Sequence, residues 1–302
     1  MKNVIKHRYL YFAISLVVIL PGLAALLVWG LPTGIDFSGG SYLEIRVNNA
    51  LPSTDDMVAL LSEYGFTDTK IQRSGNDKLI IRSKAMDEET LTAILAEFET
   101  RFNVSVELDR FESVGPTIGK EVAQRAAGAV GFAALGILLY ITYAFRGVKH
   151  AFRYGVAAIL AMLHDVIVVI GAEAILGHYL GWEVDSLFLT ALLTVIGFSV
   201  HDSIVVFDRI RENEKLHRRQ PYETVVNLSI VQTFARSINT QLTVMLTLLS
   251  LVLFGGNTIR HFVLILLIGV FSGTYSSIFN ASPILVVWEN KEWKTWFKRS
   301  PA

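Results

Sequence analysis

Long apolar runs separated by short charged connections dominate the chain. A helix needs about 20 mostly apolar residues to cross a bilayer. Six segments meet that length, at about residues 9–31, 122–145, 154–176, 186–207, 237–254 and 262–288. Helices are expected because lipid cannot satisfy exposed backbone donors and acceptors. The first run follows Lys2, Lys6 and Arg8, as the apolar core of a cleaved signal peptide would. It is longer than such a core and no small-x-small cleavage site stands out, so it reads as a retained anchor.

The one large polar segment, residues 32–120, changes period. Residues 40–47 alternate, with Leu43, Ile45 and Val47 on one face, which predicts a strand. Ser53, with Asp56 three residues on, caps a predicted helix to residue 64. Residues 69–73 and 78–82 read as strands, and Asp87 opens an amphipathic helix to about residue 102 with Leu91, Ile94, Leu95 and Phe98 on one stripe. Residues 104–111 alternate again. The order βαββαβ is a ferredoxin-like plan. The expected fold class is therefore an α-helical integral membrane protein of six spans with a small α+β domain between the first two. The domain plan is residues 1–31 for the amino terminus and first span, 32–120 for the α+β domain, 121–288 for the remaining spans and 289–302 for a basic tail. The α+β domain lacks His or carboxylate clusters at metal spacing and reads as a binding or mechanical head.

Charge orients the spans. Lys and Arg gather at the amino terminus, at Arg146, Lys149 and Arg153, at Arg209, Arg211, Lys215, Arg218 and Arg219, and in the tail at Lys291, Lys294, Lys298 and Arg299. The connections on the other side, at 177–185 and 255–261, offer only Arg260. Both termini are thus expected in the cytoplasm and residues 32–120 outside it. Trp29, Trp182, Trp288, Trp293 and Trp296 sit at or just beyond span ends, where interfacial aromatics belong. Composition agrees: 18% of the 302 residues are charged, against about 25% in soluble domains. There is no cysteine, hence no disulfide framework or thiolate nucleophile. The composition argues against a soluble metabolic enzyme, and without a Walker motif ATP is not expected to be the direct energy source.

Ionisable groups inside a span are expensive and point to function. His164 and Asp165 lie in the third span, His201 and Asp202 in the fourth, and Arg236 at the start of the fifth. Glu173 is nearer the outer end of its span, where it is expected to reach water. Asp165 is about 16 Å into its span and Asp202 about 9 Å before Asp208, at 1.5 Å per residue. Asp202 and Arg236 therefore fall at compatible depths. Burial favours a protonated carboxyl and a neighbouring arginine favours the ionised form, so moving Asp202 and Arg236 together or apart would switch a proton. A charge crossing the membrane field is worth about 2.3 kcal/mol per 100 mV, enough to bias a rearrangement. His164 and His201 titrate near neutrality and could relay protons. The plainer alternative is an ion pair and hydrogen-bond network that only holds the spans together. Adjacent helical residues point about 100° apart, so neither His-Asp pair offers two metal ligands inward, and no metal or cofactor is expected. An aspartyl protease would need two aspartates sharing a proton, and Arg236 argues against that. Gly128, Gly131, Gly136, Gly197, Gly269 and Gly273 are candidates for close helix approach. Residues 208–227 read as an interfacial helix or a surface for a cytoplasmic partner.

Several motifs together resemble the SecD/SecF family of protein-export membrane proteins, in its SecF members. Gly34-Ile35-Asp36-Phe37-Ser38-Gly39-Gly40 follows the first span, and Val114-Gly115-Pro116-Thr117-Ile118-Gly119-Lys120-Glu121 leads into the second. Leu163-His164-Asp165-Val166 lies in the third. The most specific is residues 197–213, Gly197-Phe198-Ser199-Val200-His201-Asp202-Ser203 through Asp208-Arg209-Ile210-Arg211-Glu212-Asn213. The resemblance covers nearly the whole chain and implies half of an RND-type transporter. It implies a non-enzymatic accessory subunit of the Sec translocase in the inner membrane, drawing on the proton-motive force. The implied partners are SecD, the SecYEG channel, YajC-like and YidC-like subunits and translocating preproteins, with no nucleic acid. The family's proton-coupling Asp and Arg match Asp202 and Arg236, and Thr240 matches a hydroxyl of the same motif. Asp165, His164 and His201 are the expected neighbours in the relay. Gly39 and Gly40 are expected to allow a tight turn where the head joins the first span. The family commonly carries Asn where this chain has His201, and Ser-Arg-Thr where it has Ala235-Arg236-Ser237. An RND-type exporter of small molecules or lipids, and a scaffold without proton coupling, are the alternative functions.

Overall fold

The computed structural model describes residues 3–48, 51–75, 77–148 and 150–294. Contacts divide the chain into two compact units, residues 1–32 with 128–302, and residues 33–127.

The smaller unit begins with a single helical turn at Ile35–Ser38.

 That turn is α2, after the first membrane helix α1 (Arg8–Trp29). It is followed by β1 (Gly40–Val47), α3 (Thr54–Glu63), β2 (Lys70–Ser74), β3 (Lys78–Ser83), α4 (Glu88–Phe102) and β4 (Val106–Val114). The sheet order is β2-β3-β1-β4 with every neighbouring pair antiparallel, the ferredoxin-like plan expected from the alternating segments. Leu43, Ile45 and Val47 of β1 and Leu79 and Ile81 of β3 point to one face, where they pack with Leu60, Leu61, Leu91, Ile94 and Phe98 of the two helices. Ser53 caps α3 by accepting from the Asp56 amide at 3.1 Å, and Asp87 caps α4 by accepting from the Thr90 amide at 2.9 Å. The register of β1 against β4 shifts between Glu44 and Ile45, and the Asp109 carboxylate beside this irregularity meets Lys78 at 2.7 Å and Arg46 at 2.9 Å.

The two glycine motifs meet within this unit. Gly39 and Gly40 both have positive φ, 72° and 126°, a region open to glycine at little cost. A Cβ on Gly39 would lie 2.6 Å from Pro116 Cα, and one on Gly119 would lie 2.6 Å from the Gly39 amide nitrogen. Gly34, Asp36 and Gly115 belong to the same two segments: Gly34 precedes α2, Asp36 lies within it, and Gly115 stands before Pro116. The tightness is thus a backbone-to-backbone approach as well as a turn.

The larger unit holds α1, α5 from its middle onward (Pro116–Ala144), α6 (Ala151–Leu180), α7 (Ser186–Leu216), α8 (Tyr222–Phe254) and α9 (Asn257–Ser276). A π-helical turn, Ser277–Ala281, joins α9 to α10 (Ser282–Glu289), and together they make one span. Among the described residues six helices are long and apolar enough to cross a membrane. The helix of the second span starts at Pro116, six residues before the apolar run, because proline suits a first helical turn. Residues 208–227 are not a separate interfacial helix: α7 runs on to Leu216 and α8 starts at Tyr222, leaving a short connection. Polar ends of long helices leave no apolar signal to mark them.

α6, α7 and the α9–α10 span bury half or more of their apolar stretches, whereas α1, α5 and α8 keep most of theirs on the outside. Gly22 of α1 and Gly171 of α6 face each other so closely that a Cβ on Gly171 would lie 2.7 Å from Gly22 Cα, and a Cβ on Gly269 would overlap Val195 of α7. Gly128, Gly131, Gly136 and Gly197 meet nothing within 4 Å of such a Cβ among the described residues. Their small size serves no close approach among the described residues. At the end bearing the termini, Arg8 reaches Glu292 at 2.8 Å and Glu223 at 3.4 Å, tying the starts of α1 and α8 to the segment after α10. Burial opposes ionisation of Glu292, but hydrogen bonds from Arg8, Tyr9 and Asn290 outweigh it and hold its carboxyl below the usual range. Lys2, Lys149, Trp296, Lys298 and Arg299 lie outside the described residues.

Candidate functional site

Two aspartates stand at the centre of the bundle. Asp165 on α6 is fully buried and Asp202 on α7 nearly so, at 2% exposure. Burial of a carboxyl is tolerable only where hydrogen bonds replace water, and each aspartate has its own set.

Asp165 is met from α9. Ser272 Oγ donates to its Oδ1 and Ser276 Oγ to its Oδ2, both at 2.6 Å. Residues four apart on a helix share a face, so one stripe of α9 supplies both hydroxyls. His164 Nδ1 lies 2.9 Å from Asp165 Oδ1, so neighbours in sequence are also partners. His164 Nε2 is buried without a hydrogen-bond partner. The imidazole lines an apolar groove of about 620 Å³ with Ile14, Val18, Leu246, Phe271 and Tyr275.

The hydroxyl-rich surface continues into α7. Ser277, the next residue after Ser276, begins the π-helical turn, a local widening that often accompanies functional sites. Its Oγ donates to the Ser199 carbonyl at 3.0 Å and lies 3.2 Å from Ser203 Oγ. Consecutive serines therefore face different helices, one toward Asp165 and one toward the turn that carries Asp202. Gly273 keeps the helices close: a Cβ there would stand 3.3 Å from Ser199 Cα and 3.6 Å from Asp165 Oδ2.

Asp202 takes its hydrogen bond from α8, where Gln241 Nε2 donates to Oδ2 at 2.6 Å. Gln241 Oε1 and Ser237 Oγ, both buried, have no partner. Arg236 and Thr240 lie on the same helix but are exposed, as is His201 beside Asp202. Arg236 and Gln241 are five residues apart, which turns their side chains about 140° from each other. The structure brings together His164 with Asp165, and leaves Arg236, Thr240 and His201 on the outside of the bundle.

Glu173 does not reach water. It is fully buried, and its Oε2 lies 2.8 Å from His261 Nε2 on α9. Gln241, Ser272, Ser276 and His261 were all missed from the sequence. The four-residue spacing of Ser272 and Ser276 in an apolar run was a readable sign of a polar stripe. A glutamine near a span end gives no such sign. Among the described residues no group of three or more His, Cys, Asp or Glu side chains could hold a metal ion.

The chain matches a family model described as protein export membrane protein SecD/SecF, C-terminal, over residues 94–291. A protein translocase subunit SecF from Anaerolinea thermophila is 56% identical over 301 residues, covering 99% of this chain and 98% of the relative. A protein translocase subunit SecDF from Bacillus subtilis is 33% identical over 96% of this chain but only 38% of its own length. The crystal structure of SecDF from Thermus thermophilus, described as a translocon-associated membrane protein, superposes with a TM-score of 0.80 at 34% identity. That comparison covers 96% of this chain and 39% of the solved one, so this chain spans about two-fifths of that protein. The chain is thus a multi-pass membrane protein and belongs to the SecD/SecF family of protein-export membrane proteins.

Proposed function

We propose that the chain is an accessory subunit of the Sec preprotein translocase that works with SecD and uses the proton-motive force to promote export across the cytoplasmic membrane. The observation that carries this reading is Asp202, a buried carboxyl held by one neutral amide, with an exposed arginine on the helix that supplies the amide.

The charge that a carboxyl carries in that setting depends on the partners it is given. Gln241 serves both states: its NH₂ donates to an ionised oxygen, and its unpartnered carbonyl can accept from a protonated one after the amide turns. A rearrangement of α8 that exchanges Gln241 for Arg236 replaces a neutral partner by a cation and favours the ionised form. Binding and release of a proton at Asp202 thereby bias two positions of α8. Asp165, His164 and the α9 serines link this region to α6, Thr240 shares the exposed face of Arg236, and His201 stands at the edge of Asp202. Because α8 is little covered by its own chain, its free face is suited to a partner such as SecD. Arg8, Arg153, Arg209, Arg211 and Arg218 lie toward the end bearing the termini, which supports a cytoplasmic placement of that end and an extracytoplasmic placement of residues 32–120. SecYEG, and YajC-like and YidC-like subunits, are the proposed wider assembly.

Completion of preprotein export into inverted membrane vesicles, after ATP is removed, tests this. The vesicles carry the chain with its SecD partner, with and without a proton gradient. The gradient is expected to accelerate wild type but neither Asp202→Asn nor Arg236→Ala at equal expression. Equal acceleration of all three would leave the charges architectural and the chain a scaffold.

A further inference from the structure

Glu173 and His261 play no part in the Asp202 scheme, yet they combine a fully buried carboxyl, an acid–base contact and an unfilled hydrogen-bonding position. We propose that they form a second proton-binding site, at the end of the bundle away from the termini, which exchanges one proton with the water on that side. The proposal rests on the proton-coupled reading above and adds to it the point where protons meet this chain from that side.

The two helices that hold Asp165 also hold this pair. Glu173 is eight residues beyond Asp165 on α6, about 12 Å along the axis, and His261 precedes Ser272 on α9. Between the two levels Val169 and Ile265 are completely buried, so the levels are separate sites on one interface. Glu173 Oε1 is buried with no hydrogen-bond partner. A pair serving only to fasten α6 to α9 would gain from satisfying that oxygen, because an unfilled buried acceptor costs about 1–3 kcal/mol. His261 is placed differently from Glu173, with its side chain 17% exposed against none, and its ring lies against Trp182 at 4.6 Å between centroids. It spans the distance from the bundle end to the buried carboxyl.

An imidazole in this position can relay a proton with the atoms in balance. Nδ1 gains a proton from water, Nε2 passes its own to Glu173 Oε2, and the ring is left neutral as the other tautomer while the carboxylate becomes the acid. The other ionisable groups toward this end are engaged elsewhere or exposed. Arg260, next to His261, is exposed. His178 stacks on Trp29 at 4.2 Å, Asp185 caps α7 by accepting from the Phe188 amide at 2.7 Å, and Glu183 lies in the connection between α6 and α7 with contacts of its own.

Two measurements on the full chain test the site, with Glu173→Gln and His261→Gln as independent, size-conserving variants. In the first, the purified chain carries ¹⁵N-histidine, and the His261 signal, identified by its loss in His261→Gln, is followed against pH. Glu173→Gln is expected to change the proton affinity of His261 by about tenfold or more, since a carboxylate in contact stabilises imidazolium. In the second, gradient-driven export is recorded against the pH of the compartment facing that end, in vesicles that also carry the SecD partner, with Asp202→Asn alongside. Wild type is expected to show a pH step that both pair variants flatten. An unshifted His261, or export profiles that superpose on wild type, would overturn the proposal. If the pair variants behave as wild type while Asp202→Asn loses the gradient response, this second site fails and the proposed function stands. If Asp202→Asn also keeps the response, the proposed function itself fails.

Discussion

Gln241 Nε2 donates to Asp202 Oδ2 at 2.6 Å, while the other end of the same amide, Oε1, is buried and accepts nothing. The carboxyl at the heart of the proposed mechanism is therefore met by a group that can donate or accept, and its arginine lies elsewhere on the helix. Replacing Gln241 by Leu removes the donor and leaves Asp202 unpaired. A loss of about 1–3 kcal/mol in unfolding free energy is expected. Adding Asp202→Leu should restore much of it, because removing both partners of a buried hydrogen bond is far less costly than removing one. Detergent-solubilised unfolding of the single and double variants provides the comparison; equal losses in both would show that the contact contributes nothing.

Asp165 depends on hydroxyls from one stripe of α9. Ser272→Ala and Ser276→Ala should each destabilise the chain by about 1–3 kcal/mol, with the pair departing from additivity because both act on the same carboxylate. Thr247→Ala, at an exposed position where the hydroxyl bonds only to its own helix, should change little. Unfolding curves for the four variants decide it.

Close approach of α1 to α6 requires hydrogen at Gly171, since an added Cβ would meet Gly22 backbone at 2.7 Å. Backbone cannot swing aside as a side-chain end can. Gly171→Ala is expected to cost about 1–3 kcal/mol, whereas Gly131→Ala, in open space, should be neutral or gain up to about 1 kcal/mol of helix propensity. A thermal shift of the same sign in both would contradict this packing.

Acid should loosen the smaller unit. The side-chain and backbone hydrogen bonds to Thr90 hold the Asp87 carboxyl below its usual range, and the hydrogen bond from Lys78, with the Arg46 charge, does the same for Asp109. A depressed folded-state value contributes stability above the unfolded-state pKa, about 3.9 for Asp, and that contribution is lost as pH falls through the folded-state value. Hydrogen exchange on the full chain should therefore show protection in the first turn of α4 declining below about pH 4, after correction for intrinsic exchange. Unchanged protection down to pH 2 would remove these contacts from the stability of the unit.

The spans were legible from the length of their apolar runs, and the small domain because each of its elements buries one face at a regular period. Leu43, Ile45 and Val47 give the strand face, Leu91, Ile94 and Phe98 give the helix stripe, and the two caps stand where Ser53 and Asp87 predict them. Helix ends were less legible: α7 and α8 extend well beyond their apolar runs, since a polar helical turn outside the bilayer carries no hydrophobic signature. At the site, sequence could pick out Asp165 and Asp202 as ionisable groups in apolar runs, but not their partners. Depth along a helix follows from counting residues, whereas rotation about its axis is set by packing. Arg236 shares the depth range of Asp202 yet points away from Gln241, and Glu173, close to a span end, is sealed by His261 and its neighbours. Glycines gave mixed signals for the same reason, since Gly269 lies against α7 and Gly131 faces open space.

The most direct test of the account is whether Asp202 itself takes up and releases a proton. Infrared difference spectra of the chain reconstituted with its SecD partner, recorded between neutral and acidic pH, report carboxyl protonation by its C=O stretch. The account predicts a carboxyl band that wild type gains on acidification, that Asp202→Asn lacks, and that shifts in Gln241→Leu because its hydrogen bond has changed. Spectra of wild type and Asp202→Asn that coincide throughout would contradict it.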